Sequence, residues 1–427
     1  MMFKRIINSS LLSGSAVYLF SNILAAAITF ALLPILTRYL TPAEYGQVAI
    51  FQTLLAGLSA FIGVSAQGAA GVKYYDQDLS TTDLKYFIGN CFLVLIATMA
   101  LALLVALIFR RVLSDWLALE TQWLLLSVFV SSATFVVAML MGQWQVRKQA
   151  KHYGAFQVSQ SLMGMLLSLL LVVYYLQGAA GRIWVLTLMP LVYAIIALFL
   201  LYKDGLLGFA WRPNYLREIL IFGIPLIPHS VGFFLLSSVD RFVINDKLGL
   251  EQVGIYIVAV QLVSAMGLVF DAINNAYVPW LFERLKRNQI EEKRQIVRWT
   301  YAYCIALLSV AFLAFIFGPP LLILIAGEKY SLASSVIGWL ALGQAFHGMY
   351  LMVTNYIFYS KRTGLLSLTT ITSGLINVGL LMVLISIYGV QGAAIAYAIS
   401  QGVKFLLTWL VAQYRHPMPW FDFRSTF

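Results

Sequence analysis

Apolar residues run through this chain in long blocks. Runs of about 20 apolar residues, bounded by charges, prolines or glycine clusters, fall at 11–36, 45–68, 86–109, 121–143, 155–177 and 182–202. A second set falls at 214–239, 252–276, 298–317, 332–356, 364–387 and 391–413. Helices of that length match the roughly 30 Å hydrocarbon core of a bilayer. The short alternating segments that mark a membrane barrel are missing from the sequence. The pattern predicts an all-α integral membrane protein of about 12 transmembrane helices joined by short loops.

Composition agrees. Of 427 residues, 61% are hydrophobic and only 11% charged, with a mean hydropathy of +0.86; soluble domains carry roughly 25% charged residues. At the start, Met1-Met2-Phe3-Lys4-Arg5 precedes an apolar run containing Ala25-Ala26-Ala27, the outline of a cleavable signal. The run continues to Leu36, too long for such a signal, and is read as a retained first span. Cys91 and Cys304 both fall inside apolar runs, so no disulfide framework is expected.

The net charge of +11 would by itself admit nucleic acid as a partner, but its placement argues for topology. With the N-terminus inside, the cations of inner loops and termini outnumber those of outer loops by about three to one. The inner set includes Lys4, Arg5, Lys73, Lys85, Arg147, Lys148, Arg284, Arg294, Arg362 and Arg424; the outer set includes Arg38, Arg110, Arg182 and Arg241. Both termini are therefore expected in the cytoplasm, and no nucleic-acid partner is expected.

The two sets of six spans repeat one another. Thr37-Arg38-Tyr39-Leu40 with Gly46 is echoed by Asp240-Arg241-Phe242, Leu248 and Gly254. Leu140-Met141 returns as Leu351-Met352, Gly154 as Gly364, and Gln177-Gly178-Ala179-Ala180 as Gln391-Gly392-Ala393-Ala394. Six is even, so both halves enter from the same face and are related by a pseudo-two-fold along the membrane normal, as in transporters built from parallel repeats. Two six-helix lobes are expected, 1–205 and 206–427.

Ionisable groups at membrane depth are costly and default to functional hypotheses. Asp271 and Lys404 lie deep in spans, His229 and His347 within spans, Arg38, Asp240 and Arg241 at outer ends, and Lys73 at an inner end. Each has an ordinary reading too: Arg38, Arg241 and Lys73 as snorkelling anchors, Lys404 and Asp271 as a helix-ordering salt bridge, and the histidines as packing residues. In the seventh span, Gly223-Ile224-Pro225-Leu226-Ile227-Pro228 loses two backbone donors within four residues, so Pro225 and Pro228 should make a bent segment, a hinge or cavity wall. No phosphate-binding loop is present, and no catalytic residue, cofactor or metal is expected. Asp76-Gln77-Asp78 has the outline of a metal-dependent sugar-transferase motif, but a three-residue pattern in a short loop reads as solvated charge.

These residues resemble the polysaccharide transporter family within the multidrug/oligosaccharidyl-lipid/polysaccharide exporter superfamily, and O-antigen flippases in particular. The resemblance rests on Leu36-Thr37-Arg38-Tyr39-Leu40-Thr41-Pro42-Ala43-Glu44-Tyr45-Gly46, on Lys73-Tyr74-Tyr75 with acids following, and on Asp240-Arg241-Phe242 with Val253-Gly254-Ile255-Tyr256, and it covers essentially the whole chain. It implies a multi-pass protein of the bacterial inner membrane that moves an undecaprenyl-diphosphate-linked oligosaccharide from the cytoplasmic to the periplasmic leaflet by alternating access. It further implies ion-gradient coupling and assembly partners such as a polysaccharide polymerase and a chain-length regulator, with surrounding membrane lipid as the other contact. Arg38, Lys73, Arg241 and Lys404 are then the candidates for substrate binding, and Asp271, His229 and His347 those for ion coupling. An ion-coupled multidrug exporter of the same superfamily is the nearest rival, weakened by a first span without any acid. A polymerase or ligase is the rival from among enzymes, and the outer loops, none longer than about 12 residues, leave it little room.

Overall fold

The structure, a computed structural model, describes residues 10–76, 80–361 and 364–422, with side chains from residue 17 onward. Lys4, Arg5, Arg362 and Arg424 of the charge pattern, and Gln77 and Asp78 of the acidic pattern, lie outside the described residues. Among the described residues every regular element is a helix, and there are no strands. The order begins α1 (Ser10–Ala31), α2 (Leu33–Tyr39), α3 (Pro42–Ser59), α4 (Ala66–Lys73), α5 (Thr81–Ile108), α6 (Arg110–Leu117), α7 (Thr121–Val146) and α8 (Ala150–Ser168). The last runs on as a π-helical stretch, Leu169–Tyr174, before α9 (Gly178–Lys203), α10 (Pro213–Gly223), a 3-10 turn at Ile224–Leu226 and α11 (Ile227–Ser237). Then follow α12 (Asp240–Leu248), α13 (Leu250–Arg287), α14 (Ile290–Ala326), a 3-10 stretch at Glu328–Ala333, α15 (Ser334–Tyr359), α16 (Gly364–Tyr388) and α17 (Val390–Arg415). Among the described residues, 11 helices or kinked helix pairs are long and apolar enough to cross a membrane.

The second expected span, 45–68, is interrupted. Thr41 caps α3 in a reciprocal box with Glu44, and Pro42 occupies the first turn, where no backbone donor is needed. The helix stops at Ser59, and Gly63, Val64 and Ser65 take φ values of +76°, +48° and +53° before α4 begins. A left-handed backbone costs roughly 1–2 kcal/mol at a non-glycine residue. Neighbours hold it: the Gly63 N–H donates to Thr98 Oγ1 at 2.9 Å, and the Phe135 ring covers the glycine where a methyl group would collide.

The chain divides into two compact units, Met1–Ser230 and Val231–Phe427. In the first, α7 is the most buried span; in the second, α13 and α15 are. Helix α10 belongs to the first unit. Its Gly223 lies so close to the carbonyl of Val64 that a β-carbon would come within 1.9 Å. Arg212, just before it, pairs with Asp83 of α5 at 3.3 Å and donates its backbone N–H to Asn90 Oδ1. Pro225 sits in the 3-10 turn and Pro228 in the first turn of α11, so the seventh span changes helical type between α10 and α11.

Candidate functional site

Helices α15 and α17 carry the most telling charge in the second unit. Lys404 is 3% exposed, yet no carboxylate pairs with it among the described residues. Its ammonium lies 3.4 Å from His347 Nδ1 and 4.1 Å above the ring of Tyr350, and the His347 and Tyr350 rings stack. The reason is register: His347 and Tyr350 are one turn apart on α15, facing the middle of α17. A lysine at membrane depth costs roughly 2.5–3.5 kcal/mol on insertion scales, and a desolvated cation–π contact returns roughly 2. The balance leaves a cation that an anion would stabilise.

Toward the start of the unit, Asp240 and Arg241 form a buried pair at 3.2 Å. The Asp240 carboxylate also accepts from the Arg241 N–H at 2.9 Å and from the Tyr256 hydroxyl, while Arg241 donates to the carbonyl of Ser237. Farther along, Gln344 Nε2 donates to the Tyr397 hydroxyl at 3.1 Å. Gln344 is one turn before His347, and Gln401 one turn before Lys404. A polar file therefore follows the α15–α17 contact, and its oxygens Gln344 Oε1 and Gln401 Oε1 are buried without partners. Tyrosine and glutamine side chains cost little at membrane depth, so no cost in the sequence singles them out.

Lys73 closes a network in the first unit. Its ammonium is 2.9 Å from both Asp76 and Glu218 and lies over the rings of Phe87 and Tyr215. Partial burial works against its charge, but hydrogen bonds and attraction from Asp76 and Glu218 outweigh that and raise its pKa above the ordinary lysine value. Beside it, Asn214, Arg217, Glu218, Ile221, Phe222, Pro225 and Leu226 line an open cleft of about 800 Å³. Arg182, placed in the outer set by the sequence, is buried in the first turn of α9 and donates to Ser168 at the edge of the π-helical stretch.

The remaining candidates stand apart. Arg38 is exposed in the last turn of α2. Asp271 is exposed on α13 and forms no ion pair among the described residues, so the Lys404–Asp271 bridge is not formed. His229 is half-buried on α11 with Nδ1 unpartnered. The structure thus brings Lys404 and His347 together, and Arg241 with Asp240; the other candidates are separate.

Eleven long apolar helices, a polar file inside one unit and a buried cation without a carboxylate partner among the described residues define a multi-pass membrane protein. The chain belongs to the polysaccharide biosynthesis protein family, whose model matches residues 11–285. It is 25% identical over 374 residues to an Lsg locus putative protein of Haemophilus influenzae, covering 87% of this chain and 90% of that one. A probable low-salt glycan biosynthesis flippase of Haloferax volcanii is 20% identical, over 93% and 82% of the two chains. The fold is shared with a lipid II flippase solved in an inward closed conformation (TM-score 0.72, 15% identity, 94% and 87% covered). It is shared as well with an inward-facing multidrug resistance transporter of the MOP superfamily (TM-score 0.66, 15% identity, 93% and 94% covered). The Haloferax relative is named as a probable flippase, and the two solved neighbours are a lipid II flippase and a multidrug resistance transporter.

Proposed function

We propose that the protein flips undecaprenyl-diphosphate-linked oligosaccharide repeat units, of O-antigen or a related surface polysaccharide, from the cytoplasmic to the periplasmic leaflet of the bacterial inner membrane. The observation that carries the reading is Lys404, a buried cation without a carboxylate. A diphosphate cannot cross hydrocarbon unaided and needs cations at membrane depth to replace its water. Lys404 offers one, Arg241 and Lys73 offer others once their carboxylate partners yield, and Arg38 offers another once its own contacts yield. Twelve spans in two six-helix lobes, 1–205 and 206–427, rock about the double-proline segment at Pro225 and Pro228, both termini remaining in the cytoplasm. His347, in contact with Lys404, is the first candidate for ion coupling, ahead of Asp271 and His229. A polymerase and a chain-length regulator would take the flipped unit onward.

The test is deletion followed by complementation. Loss of the gene should abolish surface glycan while the lipid-linked repeat unit accumulates, and Lys404→Ala at normal membrane level should restore less than a tenth of the wild-type glycan. Full restoration by Lys404→Ala would sink the assignment. The likeness of fold to a multidrug transporter supports one further reading, export of cationic compounds. That reading requires drug sensitivity on deletion with surface glycan intact.

A further inference from the structure

Beyond Arg415 the chain turns back on the second unit. Side chains there alternate: Met418 and Trp420 are each 4% exposed, whereas Phe421 is 78% exposed, so the segment is seated and not merely draped. Trp420 meets Tyr301 of α14, Tyr356 of α15 and Trp409 of α17 edge-on, at centroid distances of 6.1, 6.0 and 5.6 Å. The Tyr301 hydroxyl donates to the Trp420 carbonyl at 2.9 Å, and Arg294 holds Asp422 Oδ2 through Nε and Nη2 at 3.0 and 2.7 Å. His416 stacks on Tyr356, its ring tilted by only 5°. Three helices are tied at one end by seven residues.

Trp420 and Met418 close a hydrophobic cluster with Leu281, Val353, Ile357 and Ala412, and polar side chains are set among and beyond it. Along α15, Thr354 shares a face with Tyr350 and His347 by helical spacing; along α17, Thr408 follows Lys404 by one turn. Thr354 is 3% exposed and Thr408 fully buried. Trp420 Nε1, His416 Nε2 and, farther in, Tyr303 Oη are buried without partners among the described residues. Orphaned polar atoms in such a setting call for water, which must have a way in.

We infer that His416–Asp422 is a strap that seals this end of the second unit, and that its release admits water to the polar face of α15 leading to His347 and Lys404. The inference does not depend on the cargo. Its test places a cysteine at Thr354 in a Cys91→Ala, Cys304→Ala background and measures labelling of the purified full chain by a charged methanethiosulfonate. With the strap intact, Thr354→Cys should react slowly. Adding Trp420→Ala should speed labelling at least tenfold, Asp422→Asn less, and Phe421→Ala not at all. Fast labelling with the strap intact, or no acceleration by Trp420→Ala, overturns the proposal. Should Trp420→Ala not yield folded protein, Arg294→Gln combined with Asp422→Asn carries the same test, and an unchanged rate overturns it equally. Labelling is blind to glycan, so its failure and that of the flippase reading are distinguishable.

Discussion

Lys404 and Arg241 are both buried cations, and they differ in what removing them should do. Lys404 has no ionic partner to strand, so Lys404→Met replaces a costly group with an apolar one of similar length. Thermal stability in detergent should hold or rise while glycan export falls at least tenfold; a drop in the melting temperature would mean that the lysine is structural. Arg241 has Asp240 beside it, and Asp240 is 2% exposed. Arg241→Ala leaves that carboxylate buried and uncompensated, a loss of roughly 3–5 kcal/mol, to be seen as a lower melting temperature whether or not transport is assayed. His416 bears on pH. Burial, and then the nearby charge of Lys293, lower its pKa, so docking against Tyr356 and Tyr359 favours the neutral ring. Above the ordinary value of about 6.5 docking gains in full. As pH falls below that value the released strap takes up the proton more readily and docking weakens. The thiolate that reacts also becomes scarcer as pH falls, so strap opening is read as the ratio of Thr354→Cys labelling to that of the exposed Tyr39→Cys at the same pH; that ratio should rise between pH 7 and 5, and His416→Phe should flatten it while Arg294 and Asp422 stay paired.

Among elements, breaks made by special residues were legible and breaks made by context were not. Pro225 and Pro228 announce the change of helical type in the seventh span because each removes a donor wherever it sits. The turn at Gly63-Val64-Ser65 interrupts a segment, Phe61-Ile62-Gly63-Val64, whose apolarity reads as continuous helix. Phe135, Thr98 and Gly223, distant in sequence, hold its backbone. Helix α13 outruns its apolar stretch by a similar logic, since Phe282 to Arg287 is rich in helix-forming Glu, Lys and Arg and simply continues the coil. The candidate site divides the same way. Its charges stood out by cost, while Tyr350, Tyr397 and Gln344 are inexpensive and became meaningful only when α15 met α17. Gly223→Ala tests the element-level account: a methyl group pressed on the Val64 carbonyl must push α10 away from the strained turn. A loss of roughly 1–3 kcal/mol is expected, with Gly249→Ala, strained at φ +86° but with open space around it, as the comparison in which crowding plays no part.

For the molecule as a whole, the number of bilayer crossings decides where the termini lie. Eleven continuous spans would leave the termini on opposite faces; a crossing by α3 and α4 together makes twelve and returns them to one face. Charge alone does not choose. With the N-terminus outside, eleven spans keep Lys73, Arg147, Lys148 and the 284–298 cluster inside and misplace only Lys4 and Arg5, whereas twelve spans with the N-terminus inside misplace neither. The repeat proposed from the sequence makes the choice testable: if Arg38 matches Arg241, their two segments lie on one face of the membrane and α3 with α4 must cross. Tyr39 is 47% exposed at the end of α2. Tyr39→Cys, with both native cysteines replaced, should be labelled in spheroplasts by a membrane-impermeant maleimide, as should a cysteine at Lys247. Labelling at Lys247 without labelling at Tyr39, which then reacts only after the membrane is opened, would reduce the count to eleven and dissolve the parallel repeat with it.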